Sequence, residues 1–453
     1  MDTVLKSLVG LVSGIDRASL SESTVDSVVR HTLDTVGCGA GGFASGPARV
    51  ARETVRGSGG ALVASVYGEA ERVLVDLAGF ANATADRYLD FNDFGVSGHP
   101  SDMIPALLAM TEAADGTGAD LVTAIAVAYE VATRLAEAVP PDLGWDQGIY
   151  CSLGIAAGQA KLLGLSAEKT AHALSLAVVP AIPLRVTRFG ELSEWKAAAT
   201  GHAALTATFA VRLAAAGMTG PPAPFEGKDG LLERVWPEFG WDPAPAECAA
   251  IRRASLKRHP ACYWGQVPVD LVTEARERVD LAQVAAIEVA TCANAWRAIG
   301  GGRGDAAEKW RPATRETADH SMPYLMAAAF VDGRLTDAAF TPERLRDPEL
   351  LSVMDRISVV EREDLTARAT RDSCPTELVV RSPSGSVTLS ADVPKGHPEH
   401  PMTDGEVHAK FAALAAAALP GAQVRELAGL LWDLPRLESL ASLARLFRAF
   451  SPR

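Results

Sequence analysis

Long alanine-rich stretches with apolar residues at helical spacing run through the first ~260 residues, and they constrain the fold more than any other feature of the chain. In TVDSVVRHTLDTVGCGAGG, the residues Val25, Val28, Val29, Leu33 and Val36 share one helical face, and Gly37 with the glycines after it closes the element. The apolar run ADLVTAIAVAYEVATRLAEAV, from Ala119, is stopped by Pro140 and Pro141. SLGIAAGQAKLLGL ends at Gly164, and Ser166 is placed to cap the helix AEKTAHALSLAVV. Small residues on such helices permit close packing, so an all-α bundle is the reading for this part.

The periodicity changes after about residue 280. VAAIEVATC and RISVVERED read as strands, and TELVVRSPSGSVTLSADV reads as a hairpin turning at Ser-Pro-Ser-Gly. DHSMPYLMAAAFVDG and PERLRDPELLSVMDR read as helices between them, and from Thr403 the pattern is helical again. A chain of 453 residues exceeds what one compact core holds. The expected fold is mainly α: a large all-α helical domain, residues 1–268 completed by 404–453, with an inserted smaller α+β lid domain at 269–403.

Charge narrows the partners. Fifty-six acidic against 43 basic residues leave a net charge of −13, which argues against nucleic acid or an anionic membrane but not against a small anion met by local cations. No stretch approaches ~20 uninterrupted apolar residues, so no membrane span is expected. MDTVLKSLVGLVSGIDRASL lacks a basic leader followed by an apolar run, and six scattered cysteines without a CxxC pair fit reduced thiols. A cytoplasmic location is therefore expected. The chain carries no P-loop, dinucleotide glycine fingerprint, GxSxG or HExxH motif.

Ionisable groups gather in four segments. RYLDFNDFGVSGHPSD places Asp90, Asp93, His99 and Asp102 in a Gly- and Pro-rich loop between apolar helices, a plausible acid–base site. Helix capping by Ser101 or Asp102 accounts for the same residues equally well, and the spacing is generic for a metal. IPLRVTRFGELSEWKAAA carries Arg185, Arg188 and Lys196, the last opening an alanine-rich helix. A cation there is unfavourable unless an anion offsets it; a bound carboxylate would do so, as would Glu191 or Glu194. LKRHPACYWGQ carries Lys257, and TRETADHSMPY carries Asp319, His320, Ser321 and Tyr324 at a helix start, where Asp319 or Ser321 could simply be the cap and Tyr324 a core aromatic with a hydrogen-bonded hydroxyl.

Taken in order, these segments resemble the MmgE/PrpD family over nearly the whole chain. The resemblance runs from LDTVGCGAGG through LDFND…GHPSD, GWDQGIY, LRVTRFGELSEWKAA, GMTGPPAPFEGKDGL, KRHPACY and TRETADHSMPYLMAAAFVDG to KGHPEHPMT. It implies a helical domain with an α+β lid, usually a homodimer, and an active site between the two. It also implies a metal- and cofactor-free lyase acting on a small di- or tricarboxylate, with 2-methylcitrate dehydratase as the leading activity. Decarboxylation or epimerisation of a related acid, or a repurposed acid-binding protein, are the alternatives.

Carried over by motif, the catalytic residues are Asp90, His99, Lys196, Lys257 and Tyr324. Arg185, Arg188 and His320 join Phe94, Asp146 and Gln266 against the substrate. The last three depart from the family pattern. Relatives often have Thr at Phe94, decarboxylase-like members carry His at Asp146, and many carry His at Gln266. The lost imidazoles disfavour decarboxylation of cis-aconitate.

Overall fold

The computed structural model describes residues 1–140, 145–188, 190–242 and 247–453, so the expected helix stop at Pro141 lies outside the described residues. The alanine-rich segments are helices: Glu22–Gly42, Val75–Tyr88, Ile104–Ala113, Gly118–Glu137, Gly148–Leu162, Ala167–Val178 and Trp195–Ala215. Ser166 caps Ala167–Val178 by accepting from the Lys169 amide, as its position predicts. Gly154 and Gly158 let Gly148–Leu162 lie against Gly118–Glu137. A Cβ at these positions would meet the Ala128 and Ala124 carbonyl oxygens at 2.8 and 2.7 Å.

These helices share one hydrophobic core, and the end of the chain packs into it. Val407, Phe411, Leu427, Leu431 and Leu443 are buried with Leu33, Val36 and Leu107. Residues between Ala261 and Val380 build a second core. Its sheet is four-stranded, in the order Ile357–Glu361, Ala286–Thr291, Thr376–Ser382, Gly385–Ala391. The first pair is parallel and the other two are antiparallel. Alternation sets its faces: Ile287 and Val289 turn into the core, with Leu378 and Val380 across from them. All six cysteines are buried and free. No helix among the described residues is long and apolar enough to cross a membrane.

The mainly helical chain with a small mixed sheet agrees with the expected class. One small element escaped the sequence reading, the two-residue pair Val63–Ala64 and Val73–Leu74.

Candidate functional site

Asp90 follows the last turn of helix Val75–Tyr88 and takes a left-handed backbone conformation, φ 50°. That region costs a non-glycine residue conformational energy and persists only where surroundings hold it. The surroundings are cationic. Lys257 bonds the Asp90 carboxylate and, at 2.7 Å, its carbonyl oxygen. Lys196 Nζ lies 3.1 Å from Oδ2, and Arg87 lies 2.9 Å from Oδ1. Burial alone would push the Asp90 carboxyl up, but Arg87, Lys257 and Lys196 together hold it well below the usual carboxylate range.

Two imidazoles flank that carboxylate. His99 Nε2 is 3.6 Å from Oδ1, and His320 Nε2 is 3.6 Å from Oδ2. His99 is aimed by the loop: its Nδ1 lies 2.6 Å from the Asp93 carbonyl oxygen. A carbonyl only accepts, so the ring proton is on Nδ1 and the neutral ring presents the Nε2 lone pair. Burial, with Arg87 and Lys257 adding to it, pushes His99 well below the ordinary imidazole value. Burial and then Lys196 lower His320 to about 4. Gly98 (φ 90°) makes the turn into His99, where a Cβ would overlap the Gln147 side chain.

Lys196 is the second residue of helix Trp195–Ala215, the unfavourable place for a cation. The offsetting anions are the protein's own. Lys196 Nζ bonds both Asp319 oxygens at 2.7 Å. Asp319 is thereby an ion-pair partner rather than a cap; Ser321 caps Met322–Asp332 by accepting from the Tyr324 amide. Among the described residues, one group of donors lies close enough to hold a metal: Asp90, Asp319 and His320. The Lys196 ammonium already sits among them, at 3.1, 2.7 and 3.3 Å. An internal cation therefore takes the place that a divalent ion would need.

Of these groups, Arg87, Asp90, His99 and His320 line a cavity of ≈ 530 Å³ between the two cores. Arg87, Arg185, Arg188, Arg297, Arg303 and Arg371 line it, against Asp90 and Asp146 among the described residues. Six lining arginines against two lining aspartates leave an excess of positive charge around the cavity in a chain of negative net charge. Asp146 is committed within the wall, since Arg188 grips it through Nε at 2.6 Å and Nη2 at 3.2 Å. Phe94 also lines the cavity, stacked on Tyr263 at 4.1 Å and edge-on to His99 at 5.7 Å.

Of the expected site residues, Asp90, His99, Arg185, Arg188, Phe94, Asp146 and His320 face this cavity. Lys196 and Lys257 stand behind Asp90, almost wholly buried. Two residues depart from the expectation. Tyr324 is buried in the second core, with its hydroxyl donating to the Ala339 carbonyl oxygen. Gln266 accepts from the Arg258 and His259 amides and donates to the His259 and Ala261 carbonyls. It braces the Lys257 loop rather than meeting a substrate.

Sequence reasoning overlooked Arg87, although its place three residues before Asp90 at a helix end was a usable signal. Arg297, Arg303 and Arg371 carried no local signal, because only folding brings their loops to the cleft.

The fold and cleft define a mainly helical, two-core protein with an arginine-rich cleft at the junction. Residues 6–244 match the MmgE/PrpD N-terminal domain and residues 259–434 the MmgE/PrpD C-terminal domain, so the chain belongs to the MmgE/PrpD family of enzymes. It is 23% identical to human (Homo sapiens) cis-aconitate decarboxylase, with 100% of this chain and 96% of that protein covered. It is 26% identical to 2-methylcitrate dehydratase of Cupriavidus necator, covering 86% and 85%. The probable 2-methylcitrate dehydratase of Saccharomyces cerevisiae is 25% identical over 81% of this chain and 75% of its own length.

Proposed function

We propose that this enzyme is a hydro-lyase that removes water from a 2-methylcitrate-like hydroxy tricarboxylate, with His99 handling the proton. The observation that carries the reading is the His99 Nε2 lone pair on the cavity wall, 3.6 Å from Asp90 in a ring of arginines. A carbon bearing a carboxylate is a poor acid, and removing its proton places a second negative charge on that group. Guanidinium groups preorganised around the cavity stabilise this charge without reorganising. Asp90 beside His99 stabilises the imidazolium that forms. The proton then passes to the departing hydroxyl as the C–O bond breaks, so water and an alkene acid leave and His99 is neutral again. Arg87, Lys257 and Lys196 together keep Asp90 ionised.

The test is incubation of the full chain with 2-methylcitrate and citrate, following the unsaturated acid by ultraviolet absorbance and NMR. Formation of the alkene acid by the wild type, lost in His99→Gln, supports the reading. Absence of conversion of any hydroxy tricarboxylate sinks it. Binding seen by thermal shift without conversion would instead favour an acid-binding protein.

One observation favours a second reading, decarboxylation: the relative named cis-aconitate decarboxylase aligns with the chain end to end. It ranks second because Asp146, where the resemblance leads one to expect an imidazole in a decarboxylase, is a carboxylate gripped by Arg188. Release of CO2 from cis-aconitate would choose it, and deuterium uptake without net loss would choose an epimerase.

A further inference from the structure

Lys410 lies far from Asp90 in sequence, on the helix Asp404–Ala415 of the C-terminal segment. Its side chain is almost wholly buried, and the ammonium has three partners. Nζ is 2.6 Å from Asp34 Oδ1 on helix Glu22–Gly42. It donates to the Phe91 carbonyl at 2.8 Å and to the Lys257 carbonyl at 2.9 Å. Two of its N–H groups thus go to backbone carbonyls, and the charge is met by the Asp34 carboxylate. The Phe91 ring lies 3.8 Å from the same nitrogen.

The two carbonyls belong to the segments that must meet for the site to exist. Phe91 follows Asp90, whose left-handed backbone has to be held by its surroundings. Lys257 is the residue whose own ammonium bonds the Asp90 carboxylate and carbonyl. Lys257 Nζ and the Phe94–Ser255 backbone bridge also tie these segments, and Lys410 adds a tie at Phe91 and Lys257, the residues next to the Asp90 ion pair. Lys410 does not line the cavity, so it touches no substrate.

We propose that Lys410 is a positioning residue: its ammonium, anchored by Asp34, pins the Phe91 and Lys257 backbones together and thereby places Asp90 against His99 and Lys196. The assignment rests on reading Asp90 and His99 as the proton-handling pair. The C-terminal helix thus completes the active site from behind, without entering it.

Lys410→Met removes all three donors at similar length. The readouts are the thermal melt, the His99 ring signals in 15N-histidine-labelled full-length protein at fixed pH (identified by their loss in His99→Gln), and turnover of 2-methylcitrate. A cooperative melt with shifted His99 signals is expected. With it should come kcat lower by about 10²-fold and KM within a few-fold, the mark of a misplaced catalytic group. Unshifted His99 signals overturn the proposal, whatever the turnover.

Lys410→Arg is the second variant should Lys410→Met not fold. It keeps a charge facing Asp34, but a planar fork cannot aim at three acceptors around one nitrogen. Shifted His99 signals in a cooperatively melting Lys410→Arg support the proposal, and wild-type signals overturn it. If the wild type converts no acid, the hydro-lyase reading fails alone, because the His99 signals still decide the role of Lys410.

Discussion

The Nδ1 of His99 lies 2.6 Å from the carbonyl oxygen of Asp93, and that bond decides which ring nitrogen is available for chemistry. Asp93 is itself immobilised, since its carboxylate meets His31 Nδ1 at 3.0 Å and the Tyr129 hydroxyl at 2.7 Å. A glutamine at position 99 fills similar space and has no base. His99→Gln is expected to lower kcat by about 10²–10⁴-fold, the usual worth of a positioned acid–base group, with little change in KM. Steady-state kinetics on 2-methylcitrate check this, and a kcat within a few-fold of wild type would contradict it.

The pH dependence follows from the downward shifts of both imidazoles. In the unfolded chain each protonates near pH 6.5, whereas the folded protein keeps them neutral to lower pH. The unfolded state therefore binds more protons as pH falls through about 6.5, so each histidine then costs stability; above that value neither does. For His320 the cost grows until about 4, its folded value. Urea melts at several pH values should show the stability of wild type relative to His320→Gln declining from about pH 6.5 towards 4. The acid limb of kcat/KM should lie well below the ordinary imidazole value, because His99 stays unprotonated there. An acid limb centred near 6.5 would refute the shift.

Lys257 gives all its protons to the Asp90 carboxylate, the Asp90 carbonyl and the Ala261 carbonyl. Lys257→Met would leave a buried carboxylate short of a partner. The expected loss is about 3–5 kcal/mol of unfolding free energy, the range for breaking a buried pair from one side. Denaturant melts measure it directly. A loss under about 1 kcal/mol would place Lys257 with exposed pairs instead.

Tyr324 is the sharpest contrast between family expectation and structure. Its hydroxyl donates to Ala339 within the second core, so Tyr324→Phe should cost about 1 kcal/mol of stability and leave kcat unchanged. A tenfold or greater drop in kcat, about 1.4 kcal/mol of transition-state binding, would return the tyrosine to the reaction.

Arg297 stands on helix Ala293–Ile299 at the cavity wall, exposed to solvent. On the proposed reaction it would receive a substrate carboxylate rather than hold the fold. Arg297→Met should raise KM by about tenfold, leave kcat within about twofold and keep the melting temperature, the pattern of lost uniform binding. An unchanged KM would remove Arg297 from the binding set.

Much of the fold was legible because it rests on local pattern. The helices of the first half follow from apolar spacing, small residues and caps such as Ser166, and the hairpin at Ser382–Gly385 follows from alternation and turn chemistry. The sequence also singled out Asp90, His99, Lys196, Lys257 and His320 as residues worth watching, although capping by Ser101, Asp102, Asp319 or Ser321 explained two of the segments that hold them. Asp319 shows the limit of such reading: it precedes a helix as a cap would, yet Ser321 caps and Asp319 binds Lys196.

What the sequence by itself determined is therefore the set of elements and the inventory of ionisable groups, since both are written in spacing and residue type. Only the tertiary structure decided which groups face the cavity. It turned Tyr324 and Gln266 into structural partners, set Lys196 and Lys257 behind Asp90, and added Arg87, Arg297, Arg303 and Arg371. The reason is physical. A buried charge is tolerable only where opposite charges and hydrogen bonds from distant segments converge on it, and that convergence is a property of the packed chain.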